Sequence, residues 1–483
     1  MLFALAGFSL AQPATPLRDG RCGTPLLQPP LPTLVPYPAV PRPPDAAKGE
    51  RDAGGAFPNS ARSDNFVVKW GDDASVDEAD VDALLDAFES AWAVEVLDMG
   101  HPPPVTTTDY LFNVYLGGTG DGTPPSYGYA GYYYLDGDGY PMVVIGVEGL
   151  GDTDVAASTA AHEFYHALQD AVERPYPYEG VSAWYLEATA EWASGEALPD
   201  NDNYAMFLFG YGLLPELPLS AFDYADTGAL AEYHQYGAFV FPRYLSEVLG
   251  ERAMVVDSWV DHGDDDDPVH VLTDALDARG LAIADTFGDF AARNVLWDYE
   301  DGRVYGRNVR QAEGWYERTV EVAAVDAEET WAAAPAVTWP ARYGYNVVRL
   351  RGFEEGTLVV GFDGDDAGTA GSPSAWRTTL VHDAVEGPAY VPFEGSVEVE
   401  EAGGGDWYLV AAAVPDSAEE GETFGWQYQF SVLPPEEDED PPAGKEEEQG
   451  EPQACGCSSG GMPPSVLVLL GLAAIVRRRD RRS

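Results

Sequence analysis

A chain of 483 residues is long enough for a sizeable core and for more than one structural unit. Its 26 basic against 82 acidic residues leave a formal charge of −56, which excludes nucleic acid and anionic lipid as partners of the folded body, because phosphate binding needs clustered Lys and Arg. Lysine is confined to Lys48, Lys69 and Lys445, and the abundant Asp reads as a surface suited to salty water, where mobile ions screen self-repulsion.

The chain opens on a short apolar run ending in small residues, without a basic leader, and residues 1–14 read as a secretory signal. Residues 15–60 are Pro-rich with no apolar period and read as a disordered tether or propeptide. Cys22, in Asp19-Gly20-Arg21-Cys22, lacks the apolar neighbours of a lipid-attachment site and reads as a stray thiol in that tether. The other two of the three cysteines, Cys455 and Cys457, lie near the C-terminus, so the body relies on no internal disulfide.

Residues 61–335 form the expected catalytic body. A strand at 65–70 precedes Ser75-Val76-Asp77-Glu78, which fits a capping box, and a helix that buries Val81, Leu84, Leu85, Phe88 and Trp92. The β-rich runs 110–116, 129–134 and 142–147 predict a mostly antiparallel sheet backed by that helix. Between the last two runs, Asp136-Gly137-Asp138-Gly139 lacks the remaining ligands of a calcium loop and reads as a hairpin turn. Residues 154–170 and 182–196 predict helices, and the chain stays mainly helical to 298, with the acidic run 264–267 as a charged helix start. Residues 336–433 then change to short strands with Gly-rich turns, at 345–350, 357–362, 378–382, 407–412 and 426–432, which predict a small all-β sandwich. The fold class is thus an α+β body followed by a β-sandwich accessory domain, with residues 434–454 as an acidic disordered stalk.

The chemistry concentrates in His162-Glu163-Phe164-Tyr165-His166, in a stretch free of Pro and Gly. On a helix the two imidazoles at i and i+4 leave one face a turn apart, where both nitrogens reach one Zn²⁺ at about 2.0–2.1 Å. Glu163 then stands beside the metal as general base, taking a proton from the attacking water and passing it to the leaving amine. No Gly and His follow His166, so a carboxylate is expected to complete the set. Trp184-Tyr185-Leu186-Glu187-Ala188-Thr189-Ala190-Glu191-Trp192 supplies two glutamates one helical turn apart, with Glu187 as third ligand and Glu191 as acceptor for a ligand-histidine N–H.

This pattern resembles the gluzincins, the thermolysin-like and related peptidases, in which an acidic ligand lies on the helix after His-Glu-x-x-His and another acid follows four residues later. The second acid is often Asp there and is Glu here. Gln169 and the Leu186–Trp192 segment look like putative secreted bacterial metalloproteases. The resemblance implies a zincin-like fold, zinc as cofactor and a protein or peptide substrate. It also implies an oxyanion donor near 233–239, for which His234, Tyr236 and Tyr233 are the candidates, in that order. His101, His262, His270 and His382 carry no partner pattern and read as structural or surface residues. The alternative reading is a catalytically idle zinc-containing surface binding or adhesion protein; the presence of Glu163 argues against it, because a structural zinc has no use for a base.

The last segment, 455–483, joins Cys455-Gly456-Cys457, an apolar stretch at 462–476 and an Arg-rich end. The order resembles the myxobacterial-type C-terminal sorting signal (MYXO-CTERM). It implies a sorting protease acting on the tail, lipid attachment at a cysteine and display on the cell surface, with membrane contact only through that anchor.

Overall fold

The structure, a computed structural model, describes residues 22–27, 48–51, 57–120, 122–136, 139–225, 227–263, 267–316, 321–322, 331–351, 356–403 and 405–433. The expected signal, most of the tether, the stalk, the sorting tail, residues 137–138 of the turn and 264–266 of the acidic run lie outside them. Among the described residues no helix is long and apolar enough to cross a membrane.

The first sheet takes β1 (Asn59–Arg62), β2 (Phe66–Trp70), β3 (Phe112–Gly117), β4 (Gly131–Leu135) and β5 (Pro141–Gly146) in the order β1-β2-β3-β5-β4. It is mixed rather than mostly antiparallel: β2–β3 and β3–β5 pair parallel, while β1–β2 and β4–β5 pair antiparallel. The reason lies in the connections: a helical crossover returns β3 parallel to β2, and β5 runs parallel to β3 because β4 intervenes along the chain and pairs antiparallel on the outer side of β5. The short helix α1 (Thr24–Leu27) lies against β4, and α2 (Glu78–Ala91) carries the chain from β2 to β3. Asp77, not Ser75, caps α2, its carboxylate accepting from Ala79 N at 3.0 Å. The β4–β5 link turns at Asp136, whose backbone N donates to Tyr140 O at 2.8 Å and whose carboxylate pairs with Arg51 at 2.9 Å.

Below the sheet runs α3 (Thr153–Gln169), capped by Asp152, followed by α4 (Ala183–Ala197). Phe66, Phe88, Phe112 and Phe164 tie α2 and α3 to the sheet, with the Phe66 and Phe164 rings 5.0 Å apart. The helical half continues through α5 (Leu208–Gly212), α6 (His234–Gly237), α7 (Val240–Arg243), α8 (Arg252–Val260), α9 (Pro268–Asp277), α10 (Ile283–Asn294) and α11 (Gly302–Tyr316).

The remaining strands are β6 (Glu321–Val322), β7 (Ala332–Ala333), β8 (Gly344–Leu350), β9 (Gly356–Gly364), β10 (Trp376–Ala384), β11 (Gly387–Phe393), β12 (Ser396–Ala402), β13 (Gly405–Ala413) and β14 (Trp426–Leu433). They build two sheets, β11-β10-β13-β8-β6 and β12-β9-β14-β7. Their facing sides bury Val348, Leu350, Leu380 and Leu409 against Leu358, Val360, Tyr428 and Phe430. The strand period of two turns Tyr345, Val347, Val381 and Val410 outward, and these join the core of the helical body, where Phe287 of α10 meets Tyr343 at 5.3 Å. The sandwich is therefore built onto the body through a shared core. β11 and β12, absent from the sequence reading, each occupy a sheet edge, where burial is light and Pro388 and Pro392 are tolerated.

Candidate metal centre

Helices α3 and α4 run antiparallel and close together. Ser158 meets Ser194 at 3.0 Å at one end, and at the other the Gln169 amide donates to Leu186 O at 2.9 Å and Thr189 Oγ1 at 3.0 Å. This approach sets Glu187 opposite His162 and His166. The two Nε2 atoms stand 3.1 Å apart; Glu187 Oε2 is 3.3 Å from His162 Nε2 and Oε1 is 3.6 Å from His166 Nε2. Cys22 joins them, its Sγ 3.5 Å from His166 Nε2. The four ligand atoms lie within 4.8 Å of one another, and all four residues are buried.

The donor set fits a tetrahedral zinc. Metal–nitrogen bonds of about 2.0–2.1 Å and a metal–sulfur bond of about 2.3 Å imply N···N and N···S separations of about 3.3 and 3.6 Å. Glu187 Oε2 converges on the same point as the two Nε2 atoms, with His162 Nε2 as its polar neighbour at 3.3 Å. The group could bind a metal; nothing in the protein chain itself fixes which one.

The polar groups behind the ligands orient them. His166 Nδ1 donates to Gln169 Oε1 at 2.7 Å, which leaves Nε2 free to ligate. Glu191 Oε1 lies 3.7 Å from His162 Nδ1, so it faces the ring as expected while standing beyond hydrogen-bond length. Tyr178, which sequence reasoning missed, puts its hydroxyl 3.0 Å from His166 Nδ1 and donates to Glu187 Oε1 at 3.1 Å.

Glu163 sits beside the group with Oε1 buried and unpartnered. Burial pushes its carboxyl up to about 7, with Glu187 adding and His162 opposing. Burial likewise holds His166 down to about 4, in the neutral form a metal requires. At His162 burial works against the charged form, yet the Glu191 carboxylate and bonds to Cys22 and Glu187 carry the imidazole well above its usual range. This field attracts a cation. Gly131 of β4 permits the closeness: a Cβ there would stand 2.6 Å from Thr159 Cγ2 and 3.0 Å from Glu163 Cγ.

Of the three expected oxyanion donors, the structure brings only Tyr236 to the group. Its ring is 6.3 Å from that of His162, and its hydroxyl donates to the Cys22 carbonyl at 3.4 Å. Tyr224, unforeseen from sequence, donates to the same carbonyl. His234, the first candidate, packs on Tyr211 at 5.0 Å in the aromatic core, where burial lowers its pKa to about 3. Tyr233 stacks on Phe207 at 5.4 Å. Tyr236 meets the same Phe207 ring at 5.2 Å, whereas His234, two residues before Tyr236 on α6, faces Tyr211 because residues two apart on a helix point to different sides.

Cys22 is the principal correction. Far from being a stray thiol, it is 4% exposed and seated in the group, with Thr24 Oγ1 donating to Glu163 Oε2 at 3.0 Å. A single cysteine in the folded part of a chain whose metal motif supplies three ligands was the available signal. Elsewhere, His101 bonds Tyr165 at 2.8 Å, His262 stacks on Tyr176 at 4.3 Å and His382 on Trp407 at 4.0 Å, all away from the group.

No curated protein matches the chain. Solved structures that do include a family GH115 4-O-methyl-alpha-glucuronidase with specificity for decorated arabinogalactans, 11% identical, with a TM-score of 0.15; the match covers 59% of this chain and 39% of that one, so the chain spans about two fifths of its length. At that TM-score the likeness bears on neither fold nor activity. The model of the family DUF6055, described as a family of unknown function, matches residues 43–426, well over half of the sequence, and the chain belongs to that family.

Proposed function

We propose that the protein is a zinc-dependent peptidase of gluzincin type with a zincin-like body, acting outside the cell and held at the cell surface by its C-terminal tail. One observation carries the reading: the His162–His166–Glu187 group lies beside an unpartnered Glu163 oxygen and beside a peptide carbonyl, that of Cys22, gripped by two tyrosine hydroxyls.

When bound, zinc supplies a Lewis acid that acidifies water towards neutrality and polarises a carbonyl. The chain's own residues do the rest. The edge of β4 offers backbone groups that align an extended peptide, as Gly131 O does now for Gly23 N, with Tyr133 N donating to the Thr24 side chain. Glu163 Oε1 takes the proton from the attacking water and delivers it to the leaving nitrogen, a role suited to a carboxylate held near neutrality. The Tyr224 and Tyr236 hydroxyls donate to the substrate carbonyl oxygen as it gains charge. Gln169 keeps His166 in its ligating tautomer.

The Cys22 thiol favours a second reading, a catalytically idle surface binding protein, because four protein ligands are the mark of a structural zinc. Replacing Glu163 by Gln separates the two. On the peptidase reading E163Q keeps one zinc per chain and loses casein cleavage; full cleavage by E163Q refutes it.

A further inference from the structure

We propose that residues 22–27 form an autoinhibitory plug, in which Cys22 Sγ closes the metal centre as fourth ligand and Thr24 ties down the second carboxylate oxygen of Glu163. The inference rests on the metallopeptidase reading above and adds its regulation.

The plug lies where a peptide substrate would. Cys22 bridges Gly131 in parallel register, Gly23 N donates to Gly131 O at 2.8 Å, and Tyr133 N donates to Thr24 Oγ1 at 2.8 Å. The segment thus sits on the outer edge of β4 through this single bridge before turning into α1 at Thr24. Gly23 is required for this seat, because a Cβ there would come within 2.7 Å of the Tyr129 ring. Plug atoms reach His166, the Oε2 oxygen of Glu163 and both tyrosine hydroxyls, while Glu163 Oε1 stays without a hydrogen-bond partner. Sγ stands 3.5 Å from both His166 Nε2 and Glu163 Oε2, Thr24 Oγ1 bonds Glu163 at 3.0 Å, and the Cys22 carbonyl takes the Tyr224 and Tyr236 hydroxyls. A space of about 20 Å³ remains between Cys22, Ser158, Thr159, His162, Glu163 and Glu191, room for one water.

Thiolate ligation also distinguishes the plug from a bound product. A peptide carbonyl could be displaced by substrate, whereas a sulfur–zinc bond of about 2.3 Å holds the segment against competition. Opening needs no oxidant: the sulfur–metal bond breaks, a water molecule takes the vacated position, and the departing thiolate takes up a proton from solvent. Cleavage of the chain after Leu27, or expulsion of the segment, makes the change lasting.

The test uses the full chain loaded with one Co²⁺ or Zn²⁺, as wild type, Cys22→Ala and Cys22→Ser. The cobalt wild type is expected to show a thiolate-to-cobalt charge-transfer band that both variants lack; its absence from the wild type overturns ligation and needs no variant. Acetohydroxamate, read by the cobalt visible spectrum, is expected to bind the variants at least about tenfold more tightly, since a site closed nine-tenths of the time loses about that factor. Equal affinity overturns the plug and leaves the peptidase reading standing. Zinc-loaded C22A and C22S are expected to cleave casein faster than wild type by a similar factor. Band and hydroxamate exclusion without cleavage by any form uphold the plug and sink the peptidase.

Discussion

Gln169 gives the sharpest check on the metal centre. Its Oε1 accepts from His166 Nδ1 at 2.7 Å, while its amide is anchored on Leu186 O and Thr189 Oγ1 across the helix pair. Replacing it by Leu removes the acceptor that keeps the proton on Nδ1. The ring then favours a proton on Nε2, which faces Glu187 Oε1 at 3.6 Å, and that proton must be displaced before a metal binds. Thr189 keeps its bond to Tyr185 O at 2.7 Å, so the group that loses its shorter bond in the loaded state is the buried His166 N–H, left with Tyr178 alone, at about 1–3 kcal/mol. That matches the loss of about 10- to 100-fold in affinity usual for partners of ligand histidines. The assay is competition for zinc against a chromophoric chelator. Gln169→Glu, which retains the acceptor oxygen for His166 but loses the donor to Leu186 O, should fall between wild type and Gln169→Leu. Tyr178, whose hydroxyl is 3.0 Å from Nδ1, is the substitute acceptor, so adding Tyr178→Phe to Gln169→Leu should deepen the loss. Zinc affinity of Gln169→Leu within about twofold of wild type refutes the orienting role.

Two further outcomes are expected. In a chain activated by C22A, Tyr236→Phe and Tyr224→Phe should each lower kcat by about 10²–10³-fold with KM nearly unchanged, because donors to a developing oxyanion act mainly in the transition state; a change confined to KM would make them substrate-binding groups only. Glu95, between α2 and the metal helix, is fully buried with both carboxylate oxygens unpartnered, and burial raises its pKa well above the usual value, with His162 opposing. The folded state therefore holds this proton more tightly than the unfolded one, so its stabilising effect is complete below the unfolded carboxyl pKa of about 4.3 and is lost as pH rises through the elevated folded value. Glu95→Gln should flatten that decline and raise Tm at neutral pH, by an amount corresponding to about 1–2 kcal/mol; a variant whose pH–stability curve overlays the wild type rules this out.

The candidate site residues that the sequence groups and the structure keeps together share a physical trait. His162, Glu163 and His166 lie within one helical turn and a half, and Glu187 and Glu191 within another, so the 3.6-residue period alone fixes which side chains share a face. The half-buried alternation of Trp426, Tyr428 and Phe430 along β14 was legible for the same kind of reason, a strand period of two. Sheet direction was not, since strands look alike whether they return by a hairpin or over α2. Nor was the choice between His234 and Tyr236, which turns on how a four-residue helix is rotated against Phe207 and Tyr211.

The sequence by itself determined the helical His-Glu-x-x-His motif, the two glutamates one turn apart on the next helix, the acidic charge and the succession of α+β body and β-rich region, because each depends on neighbours a few residues apart or on composition. Only the tertiary structure decided that Cys22, some 140 residues before His162, lies on the metal group, that Tyr224 joins Tyr236, and that the sandwich shares the body's core. Those contacts arise from packing between segments whose separation along the chain carries no periodic signal, and the edge of β4 is what draws the N-terminal segment in.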